Sequence, residues 1–198
     1  MHPLLHVEDP AAARPGRLRA VWRAAHAPVA GVSRQIQLVA YAVPLTVLPS
    51  SIWRLPAAFD DGVGAGERAY VVFLSITSEI LAFTAIGLIA RWGEVFPRWV
   101  PVLRGCRVPP KAAVTPAAVG ATILTLLFTL LFTASEIKGT TIRGDDLPDG
   151  YPSQASGWEA AWFYLCYAPL ILWGPLLAVL TVAYWKRRHA AEKAIAPA

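Results

Sequence analysis

Glu79 is the one charged residue inside a long apolar stretch, interrupting the otherwise uncharged run from Ala69 to Ala90. An acid near the middle of a spanning helix costs about 2.5 to 3.5 kcal/mol on insertion scales, so Glu79 is expected to face protein and not lipid. Ser75 and Ala82 share its helical face and leave room for a neighbouring helix. No Lys or Arg is expected at that depth, and desolvation without a cation favours the neutral acid. Proline removes a backbone donor and frees the carbonyl four residues earlier, so Pro49 frees Leu45 and Pro175 frees Ile171. A neutral Glu79 could donate its proton to either carbonyl. A Glu79 that gains and loses that proton could instead bind a small polar or cationic solute, as acids in membrane transporters do. Arg54, Thr129, Thr133 and Glu136 would form the outer part of such a path, with Thr125 at the level of Glu79.

Thr122, Thr125, Thr129 and Thr133 recur at spacings of three, four and four, which keeps them on one side of a helix, and Glu136 continues the stripe. Small hydroxyl residues in a membrane helix let neighbours approach and bond to them, so packing is the first expectation for this stripe. An enzyme acting on a lipid or isoprenoid is the competing chemistry, with Glu79 as acid and Trp162, Tyr164, Tyr167 and Trp173 lining an apolar pocket. Other constellations are weaker. His2 and His6 have a helical i, i+4 spacing, but they sit in a Pro- and Ala-rich arm, so no metal is expected there. Cys106 and Cys166 fall at different depths without a CxxC spacing, so no disulfide is expected. The Asp60–Gly66 turn is glycine-rich but lacks the Lys and Ser or Thr of a phosphate loop. No cofactor is implied.

These residues need positioning elements, and the composition says which. Of 198 residues only 16% are charged, against about 25% in soluble domains, and mean hydropathy is +0.46. Uncharged runs lie between Arg34 and Arg54, Lys111 and Glu136, and Glu159 and Lys186. With the Glu79 stretch they make four segments of the roughly 20 apolar residues a bilayer crossing needs. The expected fold is therefore all-α: a four-helix integral membrane bundle with a short N-terminal interfacial helix at Arg17–His26. The expected spans are about Gln35 to Leu55, Ala69 to Trp92, Ala113 to Ser135 and Trp158 to Trp185. Residues 1–34 form an arm, 35–185 the membrane domain and 186–198 a basic tail.

Cations are retained in cytoplasmic loops, which gives the orientation. The arm, the segment Arg91–Lys111 and the tail hold 14 of the 18 Lys and Arg, and the two other loops hold four. Both termini are expected inside, in the plasma membrane, with no cleavable signal peptide. A pI near 9.5 could suggest nucleic acid, but these cations flank apolar spans, so anionic lipid headgroups are the expected partner and nucleic acid is not. Trp53, Trp92, Trp99, Trp158, Tyr184 and Trp185 fall near span ends, where amphipathic rings prefer the interface.

The inner loop reads Arg91-Trp92-Gly93-Glu94-Val95-Phe96-Pro97-Arg98-Trp99-Val100-Pro101, followed by Gly105, Val108, Pro109 and Pro110. Its rings can wedge at the interface while its arginines meet phosphates, giving an ordered surface loop. This loop resembles that of uncharacterised multi-spanning membrane proteins of actinobacteria, and the alanine-rich composition is similar to chains from high-GC genomes. The resemblance implies an integral membrane protein and brings no activity or site residues. The expected role is accessory or structural. Proton-linked transport through Glu79 and a membrane enzyme are the alternatives, and a transporter of this size would need a homo-oligomer to complete it.

Overall fold

The computed structural model describes residues 27–59, 62–95, 105–140, 145–146 and 156–195. The Arg17–His26 helix, His2, His6, Asp60, Asp61 and most of the Glu136–Glu159 loop lie outside the described residues. The architecture is all-α. Helices α1 (Arg34–Ala57), α2 (Ala65–Thr84), α3 (Pro110–Leu124), α4 (Thr133–Lys138), α5 (Trp158–Tyr167) and α6 (Trp173–Ile195) follow one another. Irregular turns join several of them into four continuous segments long and apolar enough to cross a membrane: Arg34–Pro56, Ala65–Leu88, Pro110–Lys138 and Trp158–Ala191.

These helices expose many large apolar side chains and bury several small polar ones. Leu38, Leu45, Ile52, Phe73, Ile76, Ile80 and Leu130 are all more than half exposed, while Thr46, Ser50, Ser51, Ser75 and Thr181 are buried. An outer surface of this kind suits acyl chains, and a water-soluble monomer seldom exposes an apolar patch beyond 300–600 Å².

The spans run alternately between an end that carries Arg91, Lys111 and Lys186, here the basic end, and an acidic end. The first span packs along both the second and the fourth, and the third packs chiefly on the fourth. The second and third spans thus occupy separate flanks of a central pair. Between helices in lipid there is no transfer from water to drive association, so close packing must hold them. The shared core is accordingly built of small and tightly fitted residues. Ala40, Val43 and Val47 of α1 meet Ala82, Ala85 and Ala90 on the second span's side and Leu170, Trp173, Leu180 and Tyr184 on the fourth's.

The first, second and fourth spans show local causes for their limits. Ser33 caps α1 by accepting a hydrogen bond from Ile36 N at 3.3 Å. Pro44, Pro49 and Pro56 are carried inside α1 without breaking it. Nearby, Thr46 donates to Val43 O at 2.7 Å and Ser50 to Val47 O at 2.8 Å. The second span starts at Ala65, a turn before the uncharged run, because Glu67 and Arg68 continue the helix. It closes early, in a tight turn at Ala85–Leu88. A Cβ on Gly93 would overlap the Gly87 carbonyl, and one on Gly87 would lie 2.7 Å from the Trp92 ring, so this reversal needs both glycines.

The fourth span changes character near its middle, where a 3-10 stretch at Ala168–Leu172 separates α5 from α6. Pro175 thereby falls in the first turn of α6 without breaking that helix, and it offers no N–H to the Ile171 carbonyl four residues earlier. Opposite it the third span widens into a π-helical stretch at Thr125–Phe132. The last helix continues past Trp185 to Ile195, as its length allowed. Tyr184 departs from the interfacial expectation: it is 2% exposed, because arginines from the next turn close over its ring.

Candidate functional site

Three polar constellations stand out, one in each flank and one at the basic end. In the flank of the first two spans, α2 presents Ser75, Glu79 and Ala82 along one face. Ser75 and Ala82 are buried and Glu79 is half-buried, so the acid turns toward protein as expected. Its Oε2 is enclosed and has no hydrogen-bond partner among the described residues. The expected donation to a proline-freed carbonyl is absent, since Glu79 bonds neither Leu45 nor Ile171, and Ile171 is already satisfied from another helix. Arg54 lies in the last turn of α1, with its Nε also enclosed and unpartnered. Helix geometry places Arg54 and Glu79 roughly 15 Å apart along the axis. They do not form a pair.

The threonine stripe belongs to the other flank. Thr129 Oγ1 donates to Ile171 O across the span interface at 2.7 Å. This is the carbonyl that Pro175 leaves without its helical donor, so the hydroxyl replaces what the proline removed. Thr125 meets Gly174, where an added Cβ would overlap its Oγ1 and backbone nitrogen. Thr122 turns back to its own helix, donating to Ala118 O at 2.9 Å. Thr133 is half-buried at the start of α4. At the acidic end Tyr164 Oη donates to Glu136 Oε2 at 2.8 Å, tying the third span to the fourth. Thr125, Thr129 and Glu136 therefore sit together on the third–fourth interface, while Glu79 and Arg54 sit on the inward faces of the first two spans.

The aromatic residues of the fourth span are engaged with other rings. Trp173 stacks on Phe128 at 6.0 Å, Tyr167 stacks on Phe163 at 4.7 Å, and Trp53 meets both Phe163 and Tyr167 edge-on. Cys106 is exposed and Cys166 is buried in the fourth span.

The third constellation joins the inner loop's Arg91 and Glu94 to arginines of the basic tail, a convergence that the sequence did not show. Glu94 reaches up between two arginines of α6: its Oε1 is 2.6 Å from Arg187 Nη2, and its Oε2 is 3.7 Å from Arg188 Nη1. Arg187 also donates to Leu88 O at 3.2 Å and Arg188 to Val108 O at 2.8 Å. Val108 N in turn donates to Glu94 O at 2.9 Å, and Val29 N to Ile89 O at 2.9 Å. The basic ends of all four spans are thereby laced around a cavity of about 890 Å³ whose lining includes Arg91, Arg107, Arg187, Arg188 and Glu94. One signal in the sequence does point here: Glu94 is the only acid between Arg91 and Lys111, a lone carboxylate among five cations. No protein-family model matches the chain, and neither a curated protein nor a solved structure matches it, so its chemistry is read from these residues alone.

Proposed function

We propose that this chain is a small polytopic protein of the cytoplasmic membrane, with both termini inside and an accessory or structural role. The observation that supports the reading best is the Thr129–Ile171 bond. The polar stripe and the proline-broken carbonyl, two features that could have marked a solute path, satisfy one another. Glu136 is likewise engaged by Tyr164. The basic ends of the spans, rich in arginine, supply the inward orientation.

The bond has a measurable weight. Thr129→Val is expected to lower bundle stability by about 1 to 2 kcal/mol, the range of interhelical hydroxyl bonds in model peptides. Thr129→Ser, which keeps the donor, should stay near the parent. Denaturant titration in detergent, followed by circular dichroism, reads the difference, and equal midpoints for the valine and serine variants would refute the scaffolding role of this hydroxyl.

One observation favours proton-linked transport of a small polar or cationic solute as the second reading. Arg54 Nε, Ser51 Oγ, Ser75 Oγ and Glu79 Oε2 are all enclosed and unpartnered among the described residues. They lie on the inward faces of two helices packed together, from the acidic end to mid-span. Glu79→Gln in sealed proteoliposomes separates the readings. The accessory role predicts a folded variant with unchanged proton flux. A folded Glu79→Gln protein that loses a proton-coupled flux present in the parent establishes transport instead.

A further inference from the structure

Of the cavities and polar clusters, the arginine-lined cup at the basic end carries an assignment furthest. Among the described residues, four arginines and one carboxylate line it. Arg187 and Arg188 are already oriented by Glu94 and by the Leu88 and Val108 carbonyls, while Arg91 and Arg107 are exposed and have no ion pair among the described residues. Arg187 also lines a smaller recess of about 100 Å³, walled in part by Tyr184. Tyr184 is 2% exposed, its ring lies under Arg187 and Arg188 at 5.5 and 5.8 Å, and its hydroxyl oxygen is enclosed without a hydrogen-bond partner among the described residues.

We propose that this cup binds a phosphate-bearing anion, with Arg91 and Arg107 as the capturing cations and Arg187 and Arg188 as the pre-oriented wall. Guanidinium forks match phosphate oxygens two at a time, which favours phosphate over a simple halide. The cup's volume lies within the 300–1,000 Å³ of small-molecule sites. The assignment rests on the membrane placement proposed above, which sets the cup at the depth where lipid phosphates lie. The phosphate can be that of an anionic lipid headgroup or a free phosphate in the adjoining water.

The test uses the full chain in an uncharged detergent, titrated separately with phosphatidylglycerol, phosphatidylcholine and inorganic phosphate. Retained lipid is counted by native mass spectrometry, and binding is read by thermal shift. Phosphatidylglycerol is expected to bind at least tenfold tighter than phosphatidylcholine. The Arg91→Gln/Arg107→Gln double variant should lose at least tenfold of that affinity, while Arg68→Gln at the acidic end stays at the parent value. Millimolar inorganic phosphate that displaces the lipid identifies a site open to the soluble anion, and phosphatidylglycerol binding that resists it identifies the headgroup as the source. Equal retention of the two lipids with no response to phosphate overturns the proposal, as does unchanged binding by the double arginine variant in a folded protein. Failure of the placement reads out separately, as a parent protein that is monodisperse without detergent.

Discussion

Gly174→Ala is expected to destabilise the bundle by about 1 to 3 kcal/mol, the usual cost of forcing a methyl group into a packed interface. The new Cβ would overlap Thr125 Oγ1 and its backbone nitrogen, and would stand 2.8 Å from its Cα. A side chain could swing aside from such a contact, but a backbone cannot, so the third and fourth spans would have to part. The Thr129–Ile171 bond lies one turn along the same interface and would lengthen with them. Gly120→Ala provides the internal control, because its nearest neighbour is Leu177 Cδ2 at 3.8 Å, an ordinary contact. That variant should remain within about 0.5 kcal/mol of the parent. Thermal unfolding in detergent compares the pair, at roughly 2 to 4 °C per kcal/mol for a chain of this size. Coincident midpoints for the two alanine variants would show that the close approach at Gly174 is not what holds the interface.

The contrast between those two glycines marks where sequence reasoning stops. Span number and approximate limits were legible because bilayer thickness imposes a minimum uncharged length, a constraint local to the chain. Arg34–Pro56 and Pro110–Lys138 accordingly fall close to the uncharged runs that announced them. The second span ends at Leu88 and not Trp92, because the Gly87–Gly93 approach depends on a reversal that no hydrophobic run encodes. The inward orientation of Glu79 was also legible, since its cost at mid-span and its small neighbours Ser75 and Ala82 are both local properties.

Pairing between helices was not legible. The stripe from Thr122 to Thr133 announced an interface, but its partner depends on which helix lies beside it. Thr129 finds a carbonyl 42 residues away on the fourth span, one of the two that Glu79 could have reached. The separation is wider still at the basic end. The Lys186-Arg187-Arg188 run reads as a stop signal at a span end, and only the folded chain brings Arg187 to Glu94 across 93 residues. Tyr184 misled for the same reason. An aromatic residue at a span terminus ordinarily marks the interface, and here the following turn of arginines closes over it.

Glu94→Ala is the second substitution with a large expected effect. Breaking a fully buried ion pair by removing one partner costs about 3 to 5 kcal/mol, most of it from the charge left behind. Solvent still reaches 14–18% of the three side chains, so about 2 to 3 kcal/mol is the reasonable expectation here. Two guanidinium groups would then face one another above the Tyr184 ring with nothing between them, and only the Arg188–Val108 O bond would still join this segment to α6. Arg187→Met should cost less, because Glu94 keeps Arg188 and the methionine keeps most of the buried stem. A double-mutant cycle on Glu94 and Arg187 should return a coupling well above the 0 to 1 kcal/mol of an exposed pair. Chemical rescue then separates lost charge from lost packing: phosphate or sulfate added to the Glu94→Ala protein can lie between the two arginines where the carboxylate was. Restoration of much of the lost stability by these anions, at ionic strength matched with chloride, is the expected result. Equal behaviour in chloride and phosphate would mean that Glu94 acts through its packing and that the two arginines need no counter-charge.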